Sequence, residues 1–348
     1  MNWKTKILIG LVTCFRPSIP FAQDSEFVFQ SAPFASCHAS TIVELRNGDL
    51  LAAWFGGSGE GRRDVAIWSS RRSAGKWSVP VELAREIGTP TWNPVLFHTQ
   101  DQRLWLYYKF GAGPSSWKAA RRWSGDEGKS WSKPEYLPAG IYGPIRAKPL
   151  VLESGSVVSG TSVEHDLSWM VWIELSSDNG KTWRRVGPIT VPRRSGGTDV
   201  RSQKSNQPYG IIQPSVVSLG GKHLRLYARS TSQIGKICVA DSFDGGESWT
   251  QARPIDLPNP NSGIDAISLA GIGVVLVFNN SASKRTPLDL AVSKDGEHFR
   301  VFYTLEDQGG EYSYPALIQG KNILHMTYTW NRKRIRYVGF PASAIPQD

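Results

Sequence analysis

Polar residues cluster where several predicted strands begin or are interrupted. Asn93 follows Trp92, Lys148 follows a Gly-Pro pair, Glu164 interrupts an apolar run, and Asp265 ends a long polar loop. Each of these positions is compatible with turn chemistry alone. As a set, they offer hydrogen-bond donors and acceptors for the hydroxyl groups of a sugar, with a tryptophan available to stack on a sugar ring.

The charge balance favours an anionic partner. The 348 residues carry a formal net charge of +10, and loss of the first 22 residues would leave +7. A basic surface attracts acidic glycans, nucleic acids or membranes. The basic run Arg332 to Arg336 is interpreted as the solvated face of a terminal hairpin, and the expected partner is an acidic oligosaccharide or glycoconjugate rather than nucleic acid.

Several classes of site are not expected. The sequence contains no P-loop, no dinucleotide-binding glycine motif, no Gly-x-Ser-x-Gly elbow and no paired His or Cys metal motif. Neither a cofactor nor a metal is therefore predicted. Three cysteines are too few for a disulfide framework, and Cys37 and Cys238 could be either bridged or free.

A turn motif recurs along the chain. Its copies end in Trp or Phe and lie 50 to 66 residues apart. Four copies contain Asp, and a fifth has lost it: Ser124–Trp131, Ser177–Trp183, Asp244–Trp249, Ser293–Phe299 and, without Asp, Ser70–Trp77. In each, Asp accepts backbone N–H groups, Gly supplies a positive φ and the aromatic ring packs under the hairpin.

The repeat and its flanking segments predict an all-β fold. Short apolar or alternating runs surround the turns, and no stretch has a helical period. A repeat of about fifty residues is typical of a propeller, and five turn copies plus one repeat without the turn predict six blades. Residues 23–348 are interpreted as a single domain in which the last strands join a strand near the N-terminus. Seven blades is the alternative.

These turns are Asp-boxes, and the chain resembles the sialidase (neuraminidase) superfamily over roughly residues 30 to 340. The resemblance implies a secreted exo-glycosidase that acts on an acidic sugar. In sialidases, arginines clamp a carboxylate, a Tyr activated by a Glu is the nucleophile, and an Asp is the acid/base. The matching positions imply that Arg229 and Arg285 bind the substrate carboxylate, Tyr312 is the catalytic tyrosine and Asp64 is the acid/base.

Two positions depart from the family pattern. His38 stands where the first clamp arginine is expected, and Gln213 stands where the activating Glu is expected. A neutral amide cannot take the proton of a phenol. His38 titrates near neutrality and is a candidate acid or base, Gln213 is a candidate substrate-binding residue, and Glu164 is a candidate replacement base.

Two alternatives remain open. A uronate-directed lyase or glycosidase would use His38 for proton transfer while arginines neutralise the sugar carboxylate. A noncatalytic glycan-binding propeller would have kept the clamp and lost the base.

The N-terminus predicts export. Lys4 and Lys6 precede a short apolar run, and Ala22 ends a plausible cleavage site, so residues 1–22 read as a signal peptide and the protein as secreted or periplasmic. A lipoprotein box ending at Cys14 is the weaker interpretation. No transmembrane segment is expected in the mature chain.

Overall fold

The structure of the protein, a computed structural model, describes residues 24–193 and 208–347. Strands dominate it, so the predicted all-β class is confirmed. The predicted signal peptide, residues 1–22, lies outside the described residues. The strands in the first half of the chain are β1 (Asp24–Phe27), β2 (Ser36–Glu44), β3 (Leu50–Gly57), β4 (Ala66–Ser73), β5 (Lys76–Trp77), β6 (Val81–Ala84), β7 (Thr91–His98), β8 (Leu104–Phe110), β9 (Lys118–Ser124), β10 (Glu135–Tyr136), β11 (Leu150–Val151), β12 (Val157–Glu164), β13 (Ser168–Ser176) and β14 (Arg184–Ile189).

The second half of the chain continues in the same way. Short 3-10 helices are formed by Pro114–Ser116 and Ala342–Ala344. No described helix has the length and apolar character needed to cross a membrane. The remaining strands are β15 (Tyr209–Gly220), β16 (His223–Ser230), β17 (Lys236–Ser242), β18 (Arg253–Pro258), β19 (Asp265–Leu269), β20 (Gly273–Asn279), β21 (Leu288–Ser293), β22 (Arg300–Glu306), β23 (Tyr312–Gln319), β24 (Ile323–Trp330) and β25 (Arg334–Pro341).

Consecutive strands pair antiparallel in short meanders. β7–β10 and β19–β22 are four-stranded sheets, and β2–β6 form a sheet in which β5 and β6 both pair with β4. β11–β14 and β15–β18 are two further antiparallel runs, joined by a short parallel pairing of β13 with β15. β1 pairs with β25 beside β24 and β23, which confirms that the last strands join an N-terminal strand. The blade number of six stays a prediction.

The Asp-box turns have the predicted hydrogen bonds. In the turn after β9, Asp126 accepts bonds from the backbone N–H of Ser130 at 2.9 Å and from the hydroxyl of Ser124 at 2.7 Å. Gly128 has φ of 76° and donates its N–H to the Ser124 hydroxyl at 2.8 Å. The hydrogen bonds from Ser130 lower the pKa of Asp126. Each turn therefore closes its hairpin through local contacts.

The core lies between neighbouring sheets. Because both faces of many strands are covered, their sequences are apolar along the whole length, and every residue of β3 is buried. Leu290 on β21 and Met326 on β24 belong to one such cluster. Tyr312, at the start of β23, belongs to the same cluster and is 2% exposed.

The first long strand of several sheets contains the same backbone irregularity. β2, β7, β15 and β23 each have a register shift. At the shift, a residue other than Gly has a positive φ: 56° for Ala39, 39° for Asn93, 53° for Gln213 and 54° for Tyr314. Such a conformation costs about 1–3 kcal/mol for a residue with a side chain. A bulge redirects one side chain out of the alternating pattern, so these strands can present an extra residue at the same end of the fold.

Removal of an Asp-box carboxylate tests the role of the turns. Asp126→Ala should lower the melting temperature by a few degrees, because four donor groups of the turn lose their acceptor. Asp256→Ala is the matched control, because Asp256 is exposed and its carboxylate bonds the side chain of Lys236. Thermal unfolding followed by circular dichroism would measure both. Equal shifts would contradict a structural role for the turn.

Candidate active site

Tyr314 is the residue around which the charged side chains gather. Its hydroxyl oxygen accepts hydrogen bonds from Arg229 Nη1 at 2.5 Å and from Gln213 Nε2 at 3.1 Å. The guanidinium carbons of Arg146, Arg229 and Arg285 lie 5.1, 5.7 and 5.7 Å from the centre of its ring. These distances are within the range of cation–π attraction. One aromatic ring therefore contacts three positive charges from separate parts of the chain.

Arg229, on β16, is held by neutral groups. Its Nε donates to Asn261 Oδ1 at 2.7 Å, and its Nη1 donates to Gln213 Oε1 at 3.2 Å. Its guanidinium carbon lies 5.6 Å from the centre of the Trp169 ring. Among the described residues, no carboxylate lies within 4 Å of its guanidinium nitrogens. Arg229 is 8% exposed, so this nearly buried charge suits an anionic ligand.

Glu311, just before β23, bridges two arginines. Its Oε1 accepts bonds from Arg285 Nη1 at 2.8 Å and from Arg332 Nε at 2.7 Å. Burial raises the pKa of Glu311, but the charges of Arg332 and Arg285 outweigh burial, so the pKa is lowered. Arg332, in the turn between β24 and β25, also donates to Glu60 in the loop after β3. Charges thus alternate from Glu60 through Arg332 and Glu311 to Arg285.

Asp265 joins three parts of the fold. Its carboxylate accepts bonds from Ser215 Oγ at 2.7 Å, from the backbone N–H of Leu317 at 2.8 Å and from Lys148 Nζ at 3.0 Å. Asp265 is 1% exposed. Lys148 and Asp265, both predicted to contact substrate, therefore bind each other at the base of the site.

Arg146 lies behind Tyr314. Its Nη1 donates to the carbonyl of Ile264 at 3.2 Å, and its Nη2 donates to the carbonyl of Pro315. Burial lowers the pKa of Arg146, although the nearby charge of Asp265 opposes this change. The guanidinium thus places positive charge under the tyrosine ring and ties β23 to the start of β19.

His38 packs against the same tyrosine, with the two ring planes tilted by 49°. The ring centres of His38 and Tyr314 are 4.1 Å apart, and His38 Nδ1 lies 2.8 Å from Thr329 Oγ1. Burial lowers the pKa of His38 well below its ordinary value, and the charges of Arg332 and three further arginines lower it further. The imidazole is therefore neutral at neutral pH.

Glu164 lies at the end of β12. In the hairpin it is paired with Trp169, whose ring contacts Arg229. Burial raises the pKa of Glu164, the charge of Arg229 lowers it, and the charge of Glu60 raises it; the net change is upward. Glu164 therefore keeps its proton to a higher pH than a free glutamic acid does.

The structure does not bring every predicted residue to this cluster. Asp64 is exposed and accepts bonds from the backbone N–H and the hydroxyl of Ser58, both at 2.8 Å, which braces the loop after β3. The Tyr312 ring packs in the core, 6.5 Å from that of Trp330. Asn93 is buried at the bulge of β7. Arg229, Arg285, Gln213 and His38 do meet at Tyr314.

Four contributors to the site were not predicted from the sequence: Tyr314, Arg146, Arg332 and Glu60. Arg332 does not belong to a solvated hairpin face, because it pairs with two carboxylates. One signal pointed to Tyr314. In the pairs Asn93-Pro94, Gln213-Pro214 and Tyr314-Pro315, a residue with a positive φ precedes a proline, and each pair lies at the register shift of its strand. The ion pairs of Arg332 left no local pattern.

The two cysteines in the described part of the chain form no disulfide. Cys37 and Cys238 are free and buried, and burial raises the pKa of both thiols. Within residues 24–193 and 208–347, no group of three or more His, Cys, Asp or Glu residues could hold a metal ion.

The all-β fold of repeated antiparallel meanders belongs to the sialidase-like class. A profile of the BNR repeat-like domain matches residues 48–326, and the chain belongs to this family. A search of curated proteins gave no match.

Solved structures share the fold at low sequence identity. The NanB sialidase from Streptococcus pneumoniae superimposes with a TM-score of 0.73 at 14% identity, over 92% of this chain and 71% of that one. A Ruminococcus gnavus intramolecular trans-sialidase gives a TM-score of 0.70 at 13% identity, covering 92% and 98%. A protein of unknown function from Dyadobacter fermentans gives 0.71 at 18% identity, covering 90% and 97%.

The hydrogen bonds and the ion pair of Asp265 should make a large contribution to the stability of the protein. Asp265→Ala should lower the free energy of unfolding by about 3–5 kcal/mol, because Lys148 would lose its partner inside the protein. Urea unfolding would measure the change.

Lys148→Met provides the control. Combined with Asp265→Ala, it should recover part of the loss, because the unpaired ammonium is then absent. A double variant as unstable as the sum of the two single variants would contradict the coupling.

Proposed function

We propose that this protein is an exo-acting glycoside hydrolase that removes a terminal carboxylate-bearing sugar from a glycan. One observation carries the proposal. Arg229 and Arg285 approach the same Tyr314 ring, and Arg229 has no carboxylate partner among the described residues. Two guanidinium groups near one phenol can bind a carboxylate while the phenol faces the neighbouring carbon.

In this proposal, Arg229 and Arg285 bind the substrate carboxylate. The side chain of Arg285 is 23% exposed, and Arg285 shares the carboxylate of Glu311 with Arg332. Part of its guanidinium group can therefore face a ligand. Trp169 offers a ring face beside Arg229. Gln213 contributes its side-chain amide from the bulge of β15.

Tyr314 takes the catalytic role that the sequence analysis gave to Tyr312. Its oxygen is held by two donors, Arg229 and Gln213, which stabilise negative charge developing there. When Arg229 turns to the substrate carboxylate, a lone pair of the phenol oxygen becomes available. As it attacks the anomeric carbon, the phenol proton passes to the neutral imidazole of His38, the leaving oxygen takes the proton of Glu164, and water then releases the sugar from Tyr314.

Glu164 is the proposed proton donor to the leaving oxygen. Its raised pKa lets it keep its proton to a higher pH than an ordinary glutamic acid, and its hairpin partner Trp169 contacts Arg229. Asp64, the acid of the sequence analysis, braces the loop that carries Glu60.

The wider setting is part of the proposal. Four-stranded antiparallel runs and the pairing of β1 with β25 support a ring of six blades. The basic and apolar run at the N-terminus supports export to the periplasm or the exterior. The partner would be an acidic oligosaccharide or glycoconjugate.

Tyr314→Phe and Tyr312→Phe form a matched pair. Tyr314→Phe should lower kcat/KM on a fluorogenic sialoside by about 100-fold or more, because the phenol oxygen is lost from the site. Tyr312→Phe should leave kcat/KM within a few fold, because its ring packs in the core. A large loss only in Tyr312→Phe would contradict the assignment.

The proton donor should set the alkaline limb of activity. Because the donor must be protonated, kcat/KM should fall as pH rises through the raised pKa of Glu164. Glu164→Gln should lower the maximum by about 100-fold and remove this limb. The control Glu153→Gln should keep the wild-type profile. An unchanged limb in Glu164→Gln would exclude Glu164 as donor.

A uronate-directed lyase is the second candidate, favoured by one observation. His38 is a neutral imidazole next to Tyr314 and the arginines, so it can accept the proton α to a uronate carboxylate. Incubation with a sialoside and with uronate-containing oligosaccharides separates the two reactions. Released free acidic sugar supports hydrolysis, whereas an absorbing unsaturated product supports the lyase. Binding without turnover of any substrate would contradict both.

A further inference from the structure

A carboxylate of the protein already occupies one guanidinium of the site. Glu60, in the loop after β3, pairs with Arg332 in the turn between β24 and β25. Arg332 also bonds Glu311, which holds Arg285. The Glu60 carboxylate therefore lies at the end of the charge chain that leads to the proposed carboxylate-binding arginine.

The two partners differ in how firmly they are held. The carbonyl of Arg332 accepts the N–H of Cys37 at 2.8 Å, and Asn331 donates its N–H to the carbonyl of Glu311 at 2.8 Å. Both turn residues have positive φ. The side chain of Glu60 is 43% exposed, and its carboxylate forms an ion pair with Arg332. An exposed ion pair of this kind contributes little stability, so Glu60 can leave at small cost.

We propose that Arg332 is an anion-binding residue of the site and that Glu60 occupies it in the free protein until the acid group of the ligand displaces it. This inference rests on the proposed function, because it assigns a further contact for the acidic sugar. A carboxylate and a sulfate ester share the chemistry that a guanidinium binds. Displacement releases Glu60 at the tip of the Ser58–Asp64 loop. The hydrogen bonds between Ser58 and Asp64 still hold the two ends of the loop together.

The charge of Glu60 also acts on a second residue of the site. It acts on Glu164, whose pKa it helps to raise, and Glu164 is subject to the charge of Arg229 as well. The carboxylate that competes for Arg332 therefore lies near the part of the site that contains Glu164 and Arg229. Removal of its charge should strengthen binding of acids and leave binding of neutral sugars unchanged.

Calorimetric titration of the full chain with three probes tests this. The probes are N-acetylneuraminate, glucuronate and glucose 6-sulfate, with the methyl esters of the two carboxylic acids as neutral controls. Glu60→Gln should bind at least one acid about 5-fold more tightly than wild type, because one competing ion pair is lost. The gain should be absent for the esters. A gain limited to one probe identifies the acid group that Arg332 takes.

The control Glu82→Gln removes the carboxylate of another exposed ion pair, with Arg85, and should not change affinity. Arg332→Gln should weaken binding of the acid, and adding Glu60→Gln to it should give no further gain. This cycle isolates the coupling between the two residues.

Several outcomes would overturn the proposal. They are equal affinity of wild type and Glu60→Gln, an equal gain for the esters, or a gain that persists without Arg332. Equal affinity with measurable acid binding overturns this inference alone and leaves the proposed function standing. Failure of every variant to bind any acid overturns both.

Discussion

The site depends on positive charge that is held inside the protein without a carboxylate at its side. Burial of an unpaired charge costs several kcal/mol in general, so other groups must stabilise it. Amide and carbonyl oxygens do so for Arg229 and Arg146, together with the face of the Tyr314 ring. Burial and the charges of four arginines, Arg229 and Arg146 among them, keep His38 neutral, and the charges of Arg332 and Arg285 lower the pKa of Glu311. In the proposed function, an anionic ligand supplies the counter-charge that the neutral partners of Arg229 lack.

The backbone bulges explain how these groups reach one place. In a regular strand, residues two apart share a face. Tyr312 and Tyr314 are two apart in β23, yet one packs in the core and the other meets the arginines, because the register shifts between Ser313 and Ala316. The positive φ of Tyr314 is the local strain that accompanies this change of face. The carbonyl of Pro315 bonds Arg146, which holds the strained segment.

The same contrast shows what a single sequence can predict. Asp-box turns are closed by residues within seven positions of each other, so the repeat, the all-β class and the hairpins could be read directly. Arg229, Arg285, Gln213 and His38 were found through the family resemblance. The choice of Tyr314 over Tyr312 depends on a bulge, and the pairing of Glu60 with Arg332 joins residues 272 positions apart. Contacts of that kind follow from tertiary packing, which leaves no periodic signal.

Gln213 is central to the chemistry of the site. Its amide accepts a hydrogen bond from Arg229 and donates one to Tyr314. A glutamate at this position would be acceptor-only when ionised and would neutralise Arg229. With the amide, the acidic groups lie further out, at Glu311 and Glu60, where they bond Arg285 and Arg332. The guanidinium of Arg229 thus has no carboxylate partner among the described residues. The phenol oxygen of Tyr314 is bound by hydrogen-bond donors and not by a base. Any catalysis here must therefore draw its proton transfer from residues around the tyrosine, such as Glu164 or His38.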